Sequence, residues 1–313
     1  MTGAEIAAGA AAASVGKAAA EAVREEVTLT KDLRRLASDK PGMQAAASAY
    51  GRRQAVKQEI LLNLFRPLAS IVGVSRDYFD SQFGEDLAEK MSEVPDEETR
   101  TPRLSVAGPA MQGLGFSLQE AELKDMYLEL LARASDGRTI EDAHPSFVDV
   151  IRQLTASEAG YLKTYLGVQH QAVMRVAMVY LPGGNKSVMN RHVTDLREPD
   201  GSYLRDEHFS TYVDNWIRLG LIECDYSGYL TREGAYDWVD DHPLMIQGRV
   251  QIDYAMTNGQ LAEGVERMEC VADKGVISRT TFGEQFAKVV ALIDEEDSAS
   301  SSSNGETTAP DIA

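Results

Sequence analysis

The sequence predicts a mostly α-helical protein with a small β component, in which N-terminal helices and a helical bundle precede a winged-helix-like α+β region. Three observations support this fold class. Alanine, the residue with the highest helix propensity, dominates residues 3–26. Apolar residues then recur at helical intervals from Leu118 to Leu166. The pattern changes at Val173–Leu181, where an apolar run rich in β-forming residues indicates a strand.

Changes in composition divide the 313 residues into four segments. We predict an Ala-rich N-terminal helix and linker (1–40), a helical bundle (41–168), a winged-helix-like α+β domain (169–293) and a disordered acidic, Ser-rich tail (294–313). Hydrophobic residues make up 43% of the chain, which is enough to build a sizeable core.

The N-terminal helix carries a groove of small residues formed by Gly9, Ala13 and Gly16. Such a groove permits close backbone approach to another helix, or shallow contact with a membrane surface. The alternative is a loosely docked helix without a partner. Gly9, Ala13 and Gly16 are therefore candidate interaction residues.

A second long helix is predicted from Met43 to Phe65, ending before Pro67. It belongs to the one basic segment, Lys31–Arg66, where eight basic residues against three acidic ones give a net charge of +5. The candidate interaction residues of this helix line one side of it: Arg52, Arg53 and Lys57. A solvated helical face is the simpler explanation of the same charges.

The predicted bundle continues with a short helix from Asp77 to Met91 and a helix over 118–134. Ser117 and Glu120 predict a capping box at the start of the latter. The chain restarts at His144-Pro145, where proline suits the first helical turn. A second predicted capping box, Thr155 with Glu158, begins the next helix.

The α+β region begins with the Val173–Leu181 strand and continues into a polar segment, 185–205, that reads as a long loop. An amphipathic helix from Phe209 to Leu219 follows. It leads into two short apolar runs, 221–224 and 229–231, that predict a β-hairpin. A helix running into a hairpin is typical of a winged helix, and a related strand-to-helix element is predicted from Gly275 onward.

Charge argues against nucleic acid as the partner. The chain carries 31 basic and 49 acidic residues, a formal net charge of −18, which repels phosphate backbones. Residues 206–241 contain two basic and nine acidic side chains, whereas a wing that reads DNA normally has the opposite charge. We therefore expect the winged element to pack or to bind protein.

Catalytic, cofactor and metal sites have no support in the pattern. The five histidines form no i, i+4 pair, and His144 is explained by local interactions at a helix start. Cys224, in a predicted strand, and Cys270, near a predicted helix, are expected to be buried and inert. Residues 182–187 lack the spacing of a phosphate-binding loop, and the acidic side chains at 237–241 read as a solvated face.

Compartment signals favour the cytoplasm. No uncharged apolar run reaches 18 residues, and the N-terminus lacks the basic start and Leu-rich centre of a secretory signal. Two cysteines without paired spacing suit a reducing environment. We expect a cytoplasmic protein, with a peripheral position at the inner face of the membrane as the alternative.

Several short motifs resemble the abortive infection alpha (Abi-alpha) family of prokaryotic and phage genomes. They are Leu128–Leu131, Ala134-Ser135-Asp136, His144–Val148 and Gln153-Leu154-Thr155, with weaker similarity at Trp216–Ile222 and Tyr229-Leu230-Thr231. The resemblance implies a role in defence against bacteriophage and supplies no catalytic residue. Residues 185–205 and 244–274 depart from the family pattern.

The leading hypothesis is a non-enzymatic phage-defence protein that acts through protein or membrane contacts, with self-association or a protein partner expected. One alternative is a nucleic-acid-associated regulator that uses the basic helix within 31–66. The other is an enzyme of unrecognised class. That enzyme would be favoured by a pocket that gathers separated polar groups: His192, His208, Asp214 and Glu223.

Overall fold

A computed structural model describes residue 51, residues 55–66 and residues 76–293. The chain divides into two compact units, Met1–Ala159 and Gly160–Ala313. The predicted segments 1–40 and 294–313 lie outside the described residues. Among the described residues, helix predominates over strand, so the mixed fold with a helical majority is confirmed.

The first unit is helical. Residues 55–66 form a helix, which confirms the C-terminal half of the helix predicted from Met43 to Phe65. Helix α1 is a continuous stretch made of Arg76–Tyr78, a π-helical turn at Phe79–Phe83 and Gly84–Lys90. A 3₁₀ turn follows at Asp96–Glu98. Three further helices come after it: α2 (Leu104–Phe116), α3 (Ala121–Ser135) and α4 (Ser146–Arg152). Helix α5 (Ala156–Leu166) begins in this unit and continues in the second.

Buried apolar side chains from these helices form the core of the first unit. The rings of Phe65 and Phe83 meet edge to face with centroids 5.3 Å apart. Leu130 and Phe147 are fully buried, so the apolar faces assigned to α3 and α4 are confirmed. His144 also acts locally as predicted, because its Nδ1 lies 2.6 Å from the Ser146 hydroxyl and accepts from the Ser146 N–H.

Of the two predicted capping boxes, one is present. The Thr155 N–H donates to Glu158 Oε2 at 2.8 Å, and the Glu158 N–H donates to the Thr155 hydroxyl at 3.2 Å. The Ser117 capping box is wrong. Ser117 instead terminates α2, where its N–H donates to the carbonyls of Gly113 and Leu114, and α3 begins three residues later than predicted.

The second unit is built on a four-stranded antiparallel sheet in the order β2-β1-β4-β3. The strands are β1 (His170–Leu181), β2 (Asn185–Val193), β3 (Ile222–Asp225) and β4 (Arg267–Arg279). The helices are α6 (Phe209–Arg218), α7 (Pro243–Thr257) and α8 (Thr281–Val289). The predicted strand at 173–181, the helix from Phe209 and the strand-to-helix element β4–α8 are confirmed.

Three predictions for this unit are wrong. Residues 185–193 form edge strand β2 rather than a loop, and their polar composition reflects the exposed position of an edge strand. The predicted hairpin does not form, because β3 pairs with the distant β4 instead of with residues 229–231. Cys224 and Cys270, expected to be buried, are both half-buried, and Cys270 lies within β4 against α7.

Helix α7 packs closely on the sheet through Gly248, where an added Cβ would lie 2.8 Å from Cys270 Sγ. The buried apolar residues around this contact include Met174, Val176 and Met245. Among the residues that the structure describes, none of the helices combines the length and the apolar composition that crossing a bilayer requires.

Candidate functional site

A β-bulge at the end of β2 turns His192 into the second unit. Asn190 pairs with Val176 and Val193 pairs with Met174, so two residues of β2, Arg191 and His192, lie opposite the single residue Arg175. His192 has a φ of 53°, in the left-handed region that non-glycine residues rarely occupy. Bulges of this kind redirect a side chain, and His192 is buried.

Three side chains from other elements surround the His192 imidazole. Its Nε2 lies 3.0 Å from Asp214 Oδ1 on α6. Its Nδ1 lies 3.6 Å from Cys224 Sγ on β3 and 3.0 Å from the hydroxyl of Tyr226, just after β3. These four residues, His192, Asp214, Cys224 and Tyr226, form what we call the His192 cluster.

The hydrogen bonds assign the tautomer of His192. The Asp214 carboxylate accepts, so Nε2 carries the proton and Nδ1 has a free lone pair. Nδ1 can therefore accept from the Tyr226 hydroxyl and from the Cys224 thiol. The Tyr226 oxygen in turn accepts from the backbone N–H of His192 at 3.2 Å, which fixes the bulge against the ring.

Strand β4 supports the cluster without contributing a member to it. An added Cβ at Gly275 would lie 2.5 Å from the Asp225 carbonyl oxygen and from a Tyr226 ring carbon, so only glycine leaves room for this turn. On the neighbouring strand, the Arg175 guanidinium lies 4.1 Å from the Tyr226 ring centroid and pairs with Asp273 at 3.5 Å.

Burial favours the neutral forms of His192 and Cys224. Burial lowers the pKa of His192 below its ordinary value, although Asp214 acts in the opposite direction. Burial likewise raises the pKa of the Cys224 thiol, although a hydrogen bond from Tyr226 lowers it. The resting pair is thus an imidazole beside a thiol, in which proton transfer must accompany any reaction of the sulfur.

The cluster has the order nucleophile, base and carboxylate that activates thiols in enzymes. Two surface depressions of the same unit are lined by other residues, one around Tyr236 and Lys274 and one around Met189 and Gly248. Within the described part of the chain, no group of three or more His, Cys, Asp or Glu side chains has the arrangement to hold a metal ion.

A second candidate surface is the outer face of α7. Ile246, Val250 and Tyr254 follow one another at four-residue spacing and are 49%, 61% and 63% exposed. The helix carries one basic and one acidic side chain, Arg249 and Asp253, which cancel in charge. We call Ile246, Val250 and Tyr254 the apolar stripe of α7. It lies on a helix without net charge in a strongly acidic protein.

The interaction residues predicted from sequence are mostly not described by the structure: Gly9, Ala13, Gly16, Arg52 and Arg53. Lys57 is described and is buried, where its ammonium donates to the carbonyl oxygens of Met91 and Val94. Its charge therefore serves the fold of the first unit rather than an exposed basic face.

Of the four polar groups named for a possible enzyme site, the structure brings together His192 and Asp214. His208 is exposed at the start of α6, and Glu223 is exposed on β3 next to Cys224. Neighbouring strand residues point to opposite sides of a sheet, so Cys224 and Tyr226 share a side that Glu223 does not. This i, i+2 relation was the one sequence signal that linked Cys224 to Tyr226.

A family model described as abortive infection alpha matches residues 75–290 of the chain. This range includes the second-unit sheet, the His192 cluster and α7. No curated protein and no solved structure matches the chain.

Proposed function

The chain belongs to the abortive infection alpha family, and we propose that it acts in phage defence through non-enzymatic protein contacts, with a second copy of itself as the partner. The family supports an abortive-infection type of defence. The apolar stripe of α7 is the observation that carries the choice of self-association. A helix that buries one face on the sheet and exposes large apolar side chains on the other is suited to docking.

Charge favours a second copy at this face. The formal net charge of −18 makes identical chains repel each other over most surfaces. Helix α7 itself carries no net charge, so repulsion between copies is weaker at this helix than at acidic surfaces. A two-fold axis near Val250 would pack the stripes in antiparallel fashion and bring Arg249 of one copy towards Asp253 of the other, a self-complementary arrangement.

The ion pair that Arg249 makes within its own chain does not oppose this exchange. Arg249 pairs with Asp240, and both side chains are largely exposed. Exposed pairs contribute only about 0–1 kcal/mol, so Arg249 can change partner at little cost. The apolar stripe would supply most of the binding free energy, and the charges would set the register.

The test is the mass of the full-length protein by sedimentation velocity, combined with a phage-plaque assay in cells that express it. Val250→Asp should give a monomer and lose protection. Val168→Asp, at an exposed valine outside α7, is the matched control and should keep both the parental mass and protection. Equal masses for the parent and Val250→Asp would contradict the proposal.

Charge reversal tests the register. Arg249→Asp and Asp253→Arg should each weaken the dimer, because each places like charges opposite each other. The double variant should restore parental affinity. Additive weakening in the double variant would exclude the antiparallel arrangement.

We further propose the N-terminal groove of Gly9, Ala13 and Gly16 as a second contact, with a helix or a membrane surface. Replacing these residues with leucine should weaken helix association by steric blocking, whereas membrane partitioning should strengthen with hydrophobicity. Vesicle flotation together with sedimentation separates the two outcomes. Unchanged behaviour in both assays would remove the N-terminal helix from the mechanism.

The descriptions of residues 41–168 as a helical bundle and of residues 169–293 as winged-helix-like stay predictions.

A further inference from the structure

We propose that Cys224 is a peroxide-reactive thiol, with His192 as its base and Asp214 as the residue that positions His192. The substrate class is a small hydroperoxide, and the product is a sulfenic acid on Cys224. The inference rests on the geometry of the His192 cluster and is independent of the self-association proposed for α7.

The arrangement supplies each part that thiol activation needs. Asp214 holds the Nε2 proton of His192 at 3.0 Å and leaves Nδ1 as an acceptor, 3.6 Å from Cys224 Sγ. Proton transfer from sulfur to Nδ1 produces a thiolate beside an imidazolium, and the Asp214 carboxylate stabilises that cation. The Tyr226 hydroxyl, hydrogen-bonded to Nδ1 at rest, can turn its proton towards the thiolate.

The reaction balances without a further reagent. The S–H bond of Cys224 breaks and its proton moves to His192, while a sulfur lone pair attacks one peroxide oxygen. An S–O bond forms and the O–O bond breaks. The departing hydroxide takes the proton from His192 and leaves as water. Sulfur is oxidised by two electrons, and the peroxide is reduced by the same two.

The surroundings of the sulfur select for a small oxidant. Cys224 is half-buried, and His192 and Tyr226 crowd it. Two surface depressions of this unit are lined by other residues. This crowding favours a small oxidant, and hydrogen peroxide is little larger than water.

The sulfenic acid would not be resolved within the chain. Cys224 lies opposite Ile277 in the β3–β4 register, and Cys270 lies seven residues further along β4. Seven strand residues span roughly 23 Å, far beyond the Cα separation of about 4.4–6.8 Å in a disulfide. Reduction would need a thiol from another molecule.

Cys270 provides an internal control. It is half-buried like Cys224, and burial likewise raises its thiol pKa. Its nearest hydrogen-bond partner is the Met245 carbonyl, 4.0 Å from Sγ, which cannot accept a proton as a base does. The two thiols therefore differ in the His192 imidazole and the Tyr226 hydroxyl that only Cys224 contacts.

The experiment treats the full-length protein with hydrogen peroxide, traps sulfenic acid with a dione probe and measures labelling at each cysteine by mass spectrometry. The rate at each cysteine in the native protein is divided by its rate in urea-unfolded protein, which removes intrinsic differences between the two thiols. We expect Cys224 to react at least about tenfold faster than Cys270 in the native protein, a modest fraction of the roughly 10²–10⁴-fold that a positioned base contributes. With tert-butyl hydroperoxide, the faster reaction of Cys224 relative to Cys270 should disappear, because this oxidant is too bulky to reach Cys224 easily.

Variants separate chemistry from folding. Asp214 is an exposed side chain on α6, so Asp214→Asn should leave the melting temperature unchanged and lower the Cys224 rate about tenfold. Asp214→Glu should restore part of the rate, because it returns the carboxylate. Asp241→Asn, at an exposed aspartate outside the cluster, should react like the parent. His192→Asn, which tolerates the left-handed backbone, should abolish the preference for Cys224.

Two results would overturn the proposal. One is equal normalised rates at Cys224 and Cys270 in the parent protein. The other is an Asp214→Asn variant that reacts at the parental rate while remaining folded, which would make the cluster a structural clasp for the bulge. The masses measured for the α7 variants have no bearing on either outcome.

Discussion

Replacing Phe147 with alanine should remove a large part of the stability of the first unit. Phe147 lies on α4 with 1% of its surface exposed, and its ring contacts that of His144 with centroids 6.0 Å apart. Truncation of a fully buried phenylalanine costs roughly 3–5 kcal/mol, from lost burial and from the cavity left behind. For a unit of this size, this loss lowers the melting temperature by roughly 6–20 °C.

Phe116 makes the comparison a matched one. It ends α2 in the same unit and is 84% exposed, so Phe116→Ala removes the same atoms without opening a cavity. Its cost should stay within about 0.5 kcal/mol. Differential scanning calorimetry of parent and both variants measures the difference. Melting of Phe147→Ala within a degree of the parent, or equal losses in both variants, would refute the assignment of a core to this helix face.

Four further predictions concern other parts of the chain. Burial lowers the pKa of His242 from 6.5 to about 4, so the unfolded chain takes up a proton first and stability should fall as pH falls from 6.5 towards 4. Urea melts of His242→Asn, which keeps an acceptor for the Leu244 N–H, should lack that fall. Gly275→Ala should cost roughly 1–3 kcal/mol by crowding Tyr226, whereas Gly160→Ala, with open space at its Cβ, should cost nothing in the same melts. Deleting residues 1–26 should spare folding by circular dichroism but abolish self-association, membrane recovery or phage protection; parental behaviour in all three assays would contradict this. Deleting residues 298–313 should leave the melting temperature unchanged, and a large drop would mean that the tail docks.

The helices of the first unit were predictable because their signals are local. Periodic apolar residues identified the buried faces of α3 and α4, and the Thr155–Glu158 capping box formed as its spacing indicates. The similar Ser117–Glu120 pair does not form a capping box, because α2 extends to Phe116 and Ser117 is the C-cap of that helix. A capping motif predicts a helix start only where the preceding helix leaves its residues free.

The sheet was less predictable because its pairings are long-range. β4 lies between β1 and β3, although it follows both in sequence by many residues. Strand β3 therefore pairs with β4 and not with the residues that follow the nearby turn. The polar edge strand β2 carries little apolar periodicity, since one side of it meets solvent. Strand propensity located β1 and part of β4, while the register depended on packing.

Sequence reasoning named His192 and Asp214 as groups that a site could gather, but it could not assemble the His192 cluster, because each member depends on a separate long-range event. His192 reaches inward through a bulge whose extra residue no propensity predicts, and Asp214 comes from a helix one element later. Cys224 and Tyr226 are held where they are by β3 pairing with β4, and Gly275 on β4 leaves room for the Tyr226 ring. Gly275 bears no functional group, yet an added methyl there would push Tyr226 away from the His192 ring. Sheet pairing and thiol environment are thus coupled, so Gly275→Ala should lower both the stability and the peroxide reactivity of Cys224, whereas Asp214→Asn should lower reactivity alone.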